Sequence, residues 1–182
     1  MLLDNVAIIT GGSRGIGRAA AIAAARRGWR VVIGYVSNET AARETVAAIE
    51  AGNGKALAVR SDVGIEFDIL GLFKAADGFG PLGALVNNAG IVGQTARVEA
   101  LTADRINRML RVNVTGSFLC AREAVKRMST KHGGNGGVIV NLSSVAATLG
   151  SANTYVDYAA SKGAIDTFTV GLSNEVAAEG IR

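Results

Sequence analysis

The sequence is poor in the residues that several kinds of chemistry require. Cys120 is its single cysteine and His132 its single histidine, so no intrachain disulfide can form and a zinc site has too few ligands to draw on. Metal catalysis is set aside on that ground. No run approaches the roughly 18–20 apolar residues of a membrane span, and Met1 leads within a few residues into VAIIT without the charged and long apolar regions of a signal peptide. The expected compartment is the cytoplasm, with no membrane partner. Nor is there a basic run: Lys and Arg exceed Asp and Glu by 19 to 15, a net charge of +4. These charges are spread along expected helix faces with little aromatic interleaving, which favours a solvated surface over a nucleic-acid footprint. Proline occurs only at Pro81, against 24 glycines. Clustered glycine points to places where the backbone must come close to something.

What is present reads as one domain over residues 1–182, with about half of the residues apolar. Short β-branched runs alternate with longer amphipathic or alanine-rich segments. Strands are expected near Val6–Thr10, Arg30–Tyr35, Lys55–Arg60, Ala84–Asn87 and Val138–Leu142. Helices are expected near Arg14–Arg27, Glu39–Ala51, Glu66–Gly78, Thr102–Thr130 and Asp157–Ala178. Apolar strands separated by helices predict an α/β fold, a doubly wound parallel sheet of Rossmann type. HGGNGG, residues 132–137, reads as an exposed turn before the fifth strand. Glu175–Gly180 looks like a helix closing on a glycine, and Ile181–Arg182 like the opening of a further strand. The chain is therefore expected to be incomplete at its C-terminal end, lacking the last strands of its sheet.

TGGSRGIG, Thr10–Gly17, follows the first strand and opens a helix, the context that turns a glycine pattern into a nucleotide site. Gly11, Gly15 and Gly17 allow a tight turn and close approach of backbone to a pyrophosphate, with the helix N-terminus supplying unpaired N–H groups. Ser13, Arg14 and Ile16 belong to the same loop. At the end of the second strand, where an acid would bond a ribose 2′-hydroxyl, the sequence has Tyr35, Val36, Ser37 and Asn38, and the first acid, Glu39, lies in the next helix. A 2′-phosphate would meet hydroxyls and an amide there, with Arg14 able to pair with it. NADP(H) is favoured over NAD(H), the other reading being that Arg14 is merely solvated and either cofactor binds.

In TYVDYAASKGAIDTF, Thr154–Phe168, a helix capped by Asp157 would put Tyr158 and Lys162 on one face about 6 Å apart along the axis. Tyr155 would lie farther from the lysine and before the helix starts. An ammonium so placed favours a phenolate by roughly 2.8 kcal/mol at an effective dielectric of about 20. Alone, such a pair is commonplace on helices. Its company is not: Ser143 and Ser144 in NLSS, and Asn87–Gly90 in NNAG, stand at strand ends, the edge where open α/β sheets bind ligands. On the long helix the apolar stripe Ile106, Met109, Leu110, Ser117, Ala121, Val125 is interrupted by Asn113. That amide reads either as a satisfied core group or as a functional one.

With TGGSRGIG, NNAG, NLSS and YAASK in this order, the chain resembles the short-chain dehydrogenase/reductase family from end to end. The resemblance implies an oxidoreductase that moves hydride between NADP(H) and a carbonyl or secondary alcohol, with no metal. It implies Tyr158 as acid–base, Lys162 as the group that favours its phenolate and holds the nicotinamide ribose, and Ser144 rather than Ser143 as the hydroxyl orienting substrate oxygen. It further implies that Asn113 keeps a water on a proton relay, that Asp62, with Val63, meets the adenine, and that Asn88, Ala89 and Gly90 shape the cofactor floor. The interval from Ser144 to Tyr158 is about one residue long for the family, so a small bulge is expected in TLGSANTYV, with Tyr155 lining the substrate mouth or packing on the helix start. Family members usually form dimers or tetramers through the two long helices, where Gly163 and Gly171 permit close packing. The rival reading is a non-catalytic dinucleotide-binding or scaffolding protein on the same fold.

Overall fold

The computed structural model describes residues 5–182. Five parallel strands, β1 (Val6–Ile9), β2 (Arg30–Tyr35), β3 (Lys55–Arg60), β4 (Leu82–Asn87) and β5 (Val138–Asn141), form one sheet in the order β3-β2-β1-β4-β5. The crossovers are α1 (Gly15–Arg26), α2 (Glu39–Glu50) and α3 (Glu66–Asp77), then the pair α4 (Ala103–Leu110) and α5 (Gly116–Met128). After β5 come a short α6 (Ala146–Leu149) and the long α7 (Val156–Val176).

The strands alternate their side chains between two cores. Val6, Ile8, Val32 and Leu85 pack against Leu72 and Phe73 of α3 and Cys120 and Ala124 of α5. Ala7, Ile9, Val31 and Ile33 pack against Ala21 of α1 and Ala42 and Ile49 of α2. Both faces of the central strands are thereby dry, which is why they read as unbroken apolar runs. Cys120 sits deep in the first core, and burial pushes its thiol up to about 12; it packs as a small hydrophobe. The direction of the crossovers reverses between β1 and β4, so the carboxyl ends of those strands open a crevice.

The long helix expected over Thr102–Thr130 is interrupted. Arg111–Thr115 forms a π-helical turn between α4 and α5, and this extra winding changes which residues face inward. Met109 and Asn113 are buried, whereas Ile106 and Leu110, expected in the same apolar stripe, are 36% and 40% exposed. At α7, Tyr155 occupies the N-cap position and Asp157 lies inside the first turn, where its carboxylate binds Arg105 instead of capping the helix. The expected bulge is a turn in which Gly150, Ser151 and Asn153 all have positive φ, at +72°, +48° and +61°. Glycine supplies such a conformation freely and side-chain-bearing residues do not. Past α7, Gly180 closes the last turn in a left-handed conformation. Ile181 bridges Gly137 in parallel, and Ile139 N–H donates to the Arg182 carbonyl at 2.8 Å, so the chain extends the sheet beyond β5. Gly137 is consequently partly covered, not simply exposed as HGGNGG suggested. Among the described residues no helix is long and apolar enough to cross a membrane, and no group of three or more His, Cys, Asp or Glu could hold a metal ion.

Candidate active site

The crevice is built by stitching the NNAG turn to the glycine loop. Thr10 Oγ1 accepts the backbone N–H groups of Asn88 and Ala89 at 3.1 and 3.0 Å. The Asn88 amide donates to the carbonyls of Thr10 and Gly11 at 2.8 and 3.1 Å. The loop can close this tightly only without side chains. A Cβ at Gly17 would lie 2.5 Å from the Asn88 amide and would strike the Gly11 carbonyl, and one at Gly11 would lie 2.9 Å from that amide. Gly15 differs: its φ is +55° and a Cβ there would meet no atom within 4 Å, because the position faces open space. α1 starts at this point with no acidic residue in its first turn, so the positive potential of its N-terminus is uncompensated. The Ser13 carbonyl accepts the Thr45 hydroxyl at 3.2 Å, which fixes the loop against α2.

The resulting cleft measures about 640 Å³. Its lining brings together Gly11, Ser13, Arg14, Gly15 and Ile16 of the loop, Tyr35, Ser37 and Asn38 beyond β2, Asp62 and Val63 beyond β3, and Asn88, Ala89 and Gly90 beyond β4. Gly17 lies behind this wall, packed against the Gly11 carbonyl and the Asn88 amide. Asp62 uses one carboxylate oxygen to accept Gly64 N–H at 2.8 Å. Asn38 Oδ1 caps α2 through Ala41 N–H at 2.9 Å, which leaves its NH2 group available. Val36 joins its neighbours in the lining, and residues that the sequence did not single out are there as well: Ser61, Ile91, Arg108, Arg111 and Val112. Arg108 lies on α4 and Arg111, three residues on, opens the π turn, but only the fold reveals that their face meets the strand ends.

Beyond Gly90 lies the second cluster. A Cβ on Gly90 would be 3.3 Å from Asn113 Oδ1 and 3.9 Å from Lys162 Nζ, so this glycine is the point where cleft, π turn and α7 converge. Lys162 is buried and donates to the Leu142 carbonyl at 2.6 Å. Its Nζ is 5.7 Å from the centre of the Tyr158 ring. Burial pushes the Lys162 ammonium below the ordinary lysine range, partly offset by Asp166. Ser144 Oγ accepts Ala146 N–H at 3.2 Å, which leaves its proton for another acceptor. The Ser143 hydroxyl instead turns to the Lys162 carbonyl at 3.4 Å. Tyr155 takes the Thr95 hydroxyl at 3.2 Å, on the far side of the helix start.

Asn113 is a fully engaged amide. Its Oδ1 accepts Ile91 N–H at 2.8 Å, and its Nδ2 reaches the Ile91 carbonyl, Met109 Sδ and Ser161 Oγ at 2.9, 3.1 and 3.1 Å. Ser161 in turn donates to the Tyr158 carbonyl at 2.7 Å. The side chain thus braces the post-β4 loop against the helix that carries Tyr158. Chemically, the assembly offers a cradle suited to a dinucleotide pyrophosphate, and next to Gly90 of its lining stands the Lys162 ammonium beside the Tyr158 phenol, both outside the cleft lining itself.

The family model described as short chain dehydrogenase matches residues 5–182. "Uncharacterized oxidoreductase YgfF" of Escherichia coli K12 is 57% identical over 178 residues, which cover 97% of this chain and 72% of the relative. "3-oxoacyl-[acyl-carrier-protein] reductase" of Synechocystis is 36% identical over 181 residues, covering 99% of this chain and 71% of the relative. Among solved structures, a short chain dehydrogenase from Burkholderia cenocepacia in complex with NADP superposes with a TM-score of 0.91 at 35% identity. That superposition covers 99% of this chain and 71% of the other.

Proposed function

The chain belongs to the short-chain dehydrogenase family, whose matched relatives are oxidoreductases, and from that premise we propose that it is an NADP(H)-dependent reductase or dehydrogenase acting on a carbonyl or secondary alcohol. The observation that carries the reading is the pairing of Tyr158 and Lys162 on α7, with Lys162 Nζ 5.7 Å from the phenol ring, next to Gly90 of the cleft lining. A nicotinamide held along the cleft would supply the hydride for the carbonyl carbon, or take it up from the alcohol carbon in the reverse direction. Tyr158 gives the substrate oxygen its proton in reduction and removes it in oxidation. Ser144 holds that oxygen with its free O–H, and Lys162, fixed by the Leu142 carbonyl, favours the phenolate after proton transfer. Asn113 keeps the loop beyond β4 in register with α7.

The residues present fit a dinucleotide. Gly15 offers a side-chain-free position at the start of α1, with no atom within 4 Å of an added methyl, and the uncapped N–H groups there suit a pyrophosphate. Preference for the 2′-phosphate rests on charge. Arg14, Ser37 and Asn38 share one wall of the cleft. Glu39, the first acid after β2, is outside the cleft lining and pairs with Arg43 at 2.9 and 2.5 Å. Replacing Arg14 with Ala is expected to weaken NADPH by roughly tenfold and NADH little; equal losses for both would show that Arg14 does not discriminate the 2′-phosphate.

Tyr158→Phe tests the whole reading. NADPH affinity is expected to hold while turnover of a carbonyl panel drops by at least about a hundredfold. A variant that keeps half its activity would remove Tyr158 from the mechanism.

A second copy of the chain is proposed as the partner for the groove of about 810 Å³ between α5 and α7. Phe118 and Phe168 stack there with centroids 3.8 Å apart, and Gly163 and Gly171 leave its floor open. Its rim carries Arg122 and Lys126 on one side and Glu175 on the other, a self-complementary pattern under two-fold symmetry.

A further inference from the structure

We propose that Arg105 is a positioning residue for Tyr158: through Asp157 it locks the first turn of α7 to the loop that follows β4, so that phenol and substrate-facing loop hold one geometry. The inference rests on the catalytic reading of Tyr158 above. Arg105 lies on α4, 52 residues before Asp157, and its guanidinium binds three groups on two other segments. Nε and Nη2 engage the two Asp157 carboxylate oxygens at 2.8 and 3.1 Å, and Nη1 donates to the Gln94 carbonyl at 2.7 Å. This planar fork against a carboxylate is a geometry that lysine cannot reproduce.

The pair is enclosed, with side-chain exposures of 21% for Arg105 and 3% for Asp157. The hydrogen bond from Arg105 holds the Asp157 carboxyl below its ordinary range against the opposing effect of burial. Gly93 makes room for the fork, since a Cβ there would lie 2.7 Å from the guanidinium carbon. The start of α7 depends on this anchor, because the N-cap residue Tyr155 gives no side-chain hydrogen bond to the helix. Asp157 immediately precedes Tyr158, so whatever fixes its side chain also fixes the rotation of the turn that carries the phenol.

The same loop is sewn to the approach to α7 by three further bonds. Ala96 N–H donates to the Thr154 carbonyl at 3.0 Å, the Thr95 hydroxyl to Tyr155 at 3.2 Å, and Arg97 to Asn153 Oδ1 at 3.1 Å. Asn153 and Ser151 hold left-handed conformations in that approach, which persist where surroundings over-determine them. Asp157, which Arg105 holds, is the buried member of this seam and adjoins the phenol in sequence.

The test compares wild type, Arg105→Ala, Arg105→Lys and Tyr158→Phe for NADPH affinity, for kcat and KM on a carbonyl panel, and for amide hydrogen exchange. Arg105→Ala is expected to lower kcat by roughly tenfold to a hundredfold while NADPH affinity stays within about twofold. Arg105→Lys is expected to recover part of the loss, and added guanidinium ion to restore part of it in Arg105→Ala. Exchange should rise in the peptides around residues 91–97 and 154–162 together and stay unchanged at the β1 core. Full kcat in Arg105→Ala with Tyr158→Phe inactive overturns the positioning role alone, whereas activity in Tyr158→Phe overturns the catalytic reading. Unchanged exchange in the two peptides overturns the clamp whatever the turnover, and so does exchange rising throughout the chain.

Discussion

Gly15 and Gly17 are two residues apart and fail for different reasons when given a methyl. At Gly17 the methyl collides with the Gly11 carbonyl and the Asn88 amide, so the loop must deform at a cost of about 1–3 kcal/mol. At Gly15 it meets nothing, and the cost is the roughly 1–2 kcal/mol of a left-handed conformation, but the methyl projects where a phosphate would sit. Gly17→Ala is expected to lower Tm more, and Gly15→Ala to lose more NADPH affinity for each degree of Tm lost; calorimetry and fluorescence titration check both. Lys162 presents the opposite balance of stability and use. Its folded pKa is depressed by burial, so the unfolded chain binds the proton more tightly and the buried ammonium weighs against folding at neutral pH. That burden lifts as pH rises from the depressed folded value through the ordinary lysine value of about 10.4, the window in which the folded state has already released the proton. Lys162→Met is therefore expected to keep or raise Tm at neutral pH, with the advantage shrinking at alkaline pH, while turnover disappears. A fall in neutral-pH Tm for this variant would mean that the Leu142 hydrogen bond outweighs the desolvation.

At the level of elements, the strands were the most legible part of the sequence. β2 and β3 coincide with their expected spans, Arg30–Tyr35 and Lys55–Arg60: β2 is marked by its buried run 31–34, and β3, at the sheet edge, by a half-buried apolar run 56–59 between charged ends. That the glycine loop lines a cleft was legible for a related reason: glycine at fixed offsets after a strand marks a close backbone approach. The π turn at Arg111–Thr115 was not. A helix that gains one residue of winding keeps helical propensity throughout, and the interruption is written only in what Asn113 touches, namely Ile91 and Ser161. The stripe that included Ile106 and Leu110 followed uninterrupted 3.6 periodicity and so placed two exposed residues in the core. Likewise α6 has no side-chain cap, and the Arg105–Asp157 fork joins positions that no local pattern links. Asn113→Ala removes bonds to both the loop and α7 from a fully buried site, with an expected destabilisation of about 3 kcal/mol. It should relax the π turn as well, so exchange protection at Gly90–Ile91 and at Ser161 should fall together in hydrogen-exchange measurements. Loss at only one of them would separate the turn from the helix it braces.

Across the whole molecule, charge and apolar surface divide the outside of α5 between them. On one side Glu123, with a side-chain exposure of 5%, takes Lys126 at 2.9 Å and Arg127 at 2.9 Å. Arg127 continues to Asp77 of α3 at 2.7 Å and covers Phe73, with 5.1 Å from guanidinium to ring centre. Burial raises the Glu123 pKa, yet the hydrogen bonds and charge of Lys126 and Arg127 prevail and leave it below the ordinary range. Glu123 therefore contributes stability that is present above the ordinary glutamate range and is lost as pH falls through its lowered folded value, while Arg127 joins α5 to Asp77 of α3. On the other side, the α5–α7 groove presents Phe118, Phe168 and the small residues Gly163, Ala164 and Gly171. A helix face this smooth lets a second helix pair approach closely, and two-fold pairing would bury the groove of both copies at once. Gly171→Glu adds length and charge at the floor of that face without touching the cleft or the ion-pair side. The expected result by sedimentation equilibrium is a shift from dimer or higher assembly to monomer, with NADPH affinity preserved. If the variant sediments as wild type does, the second copy must sit elsewhere, and the α5–α7 face is left as solvent-exposed surface of a single chain.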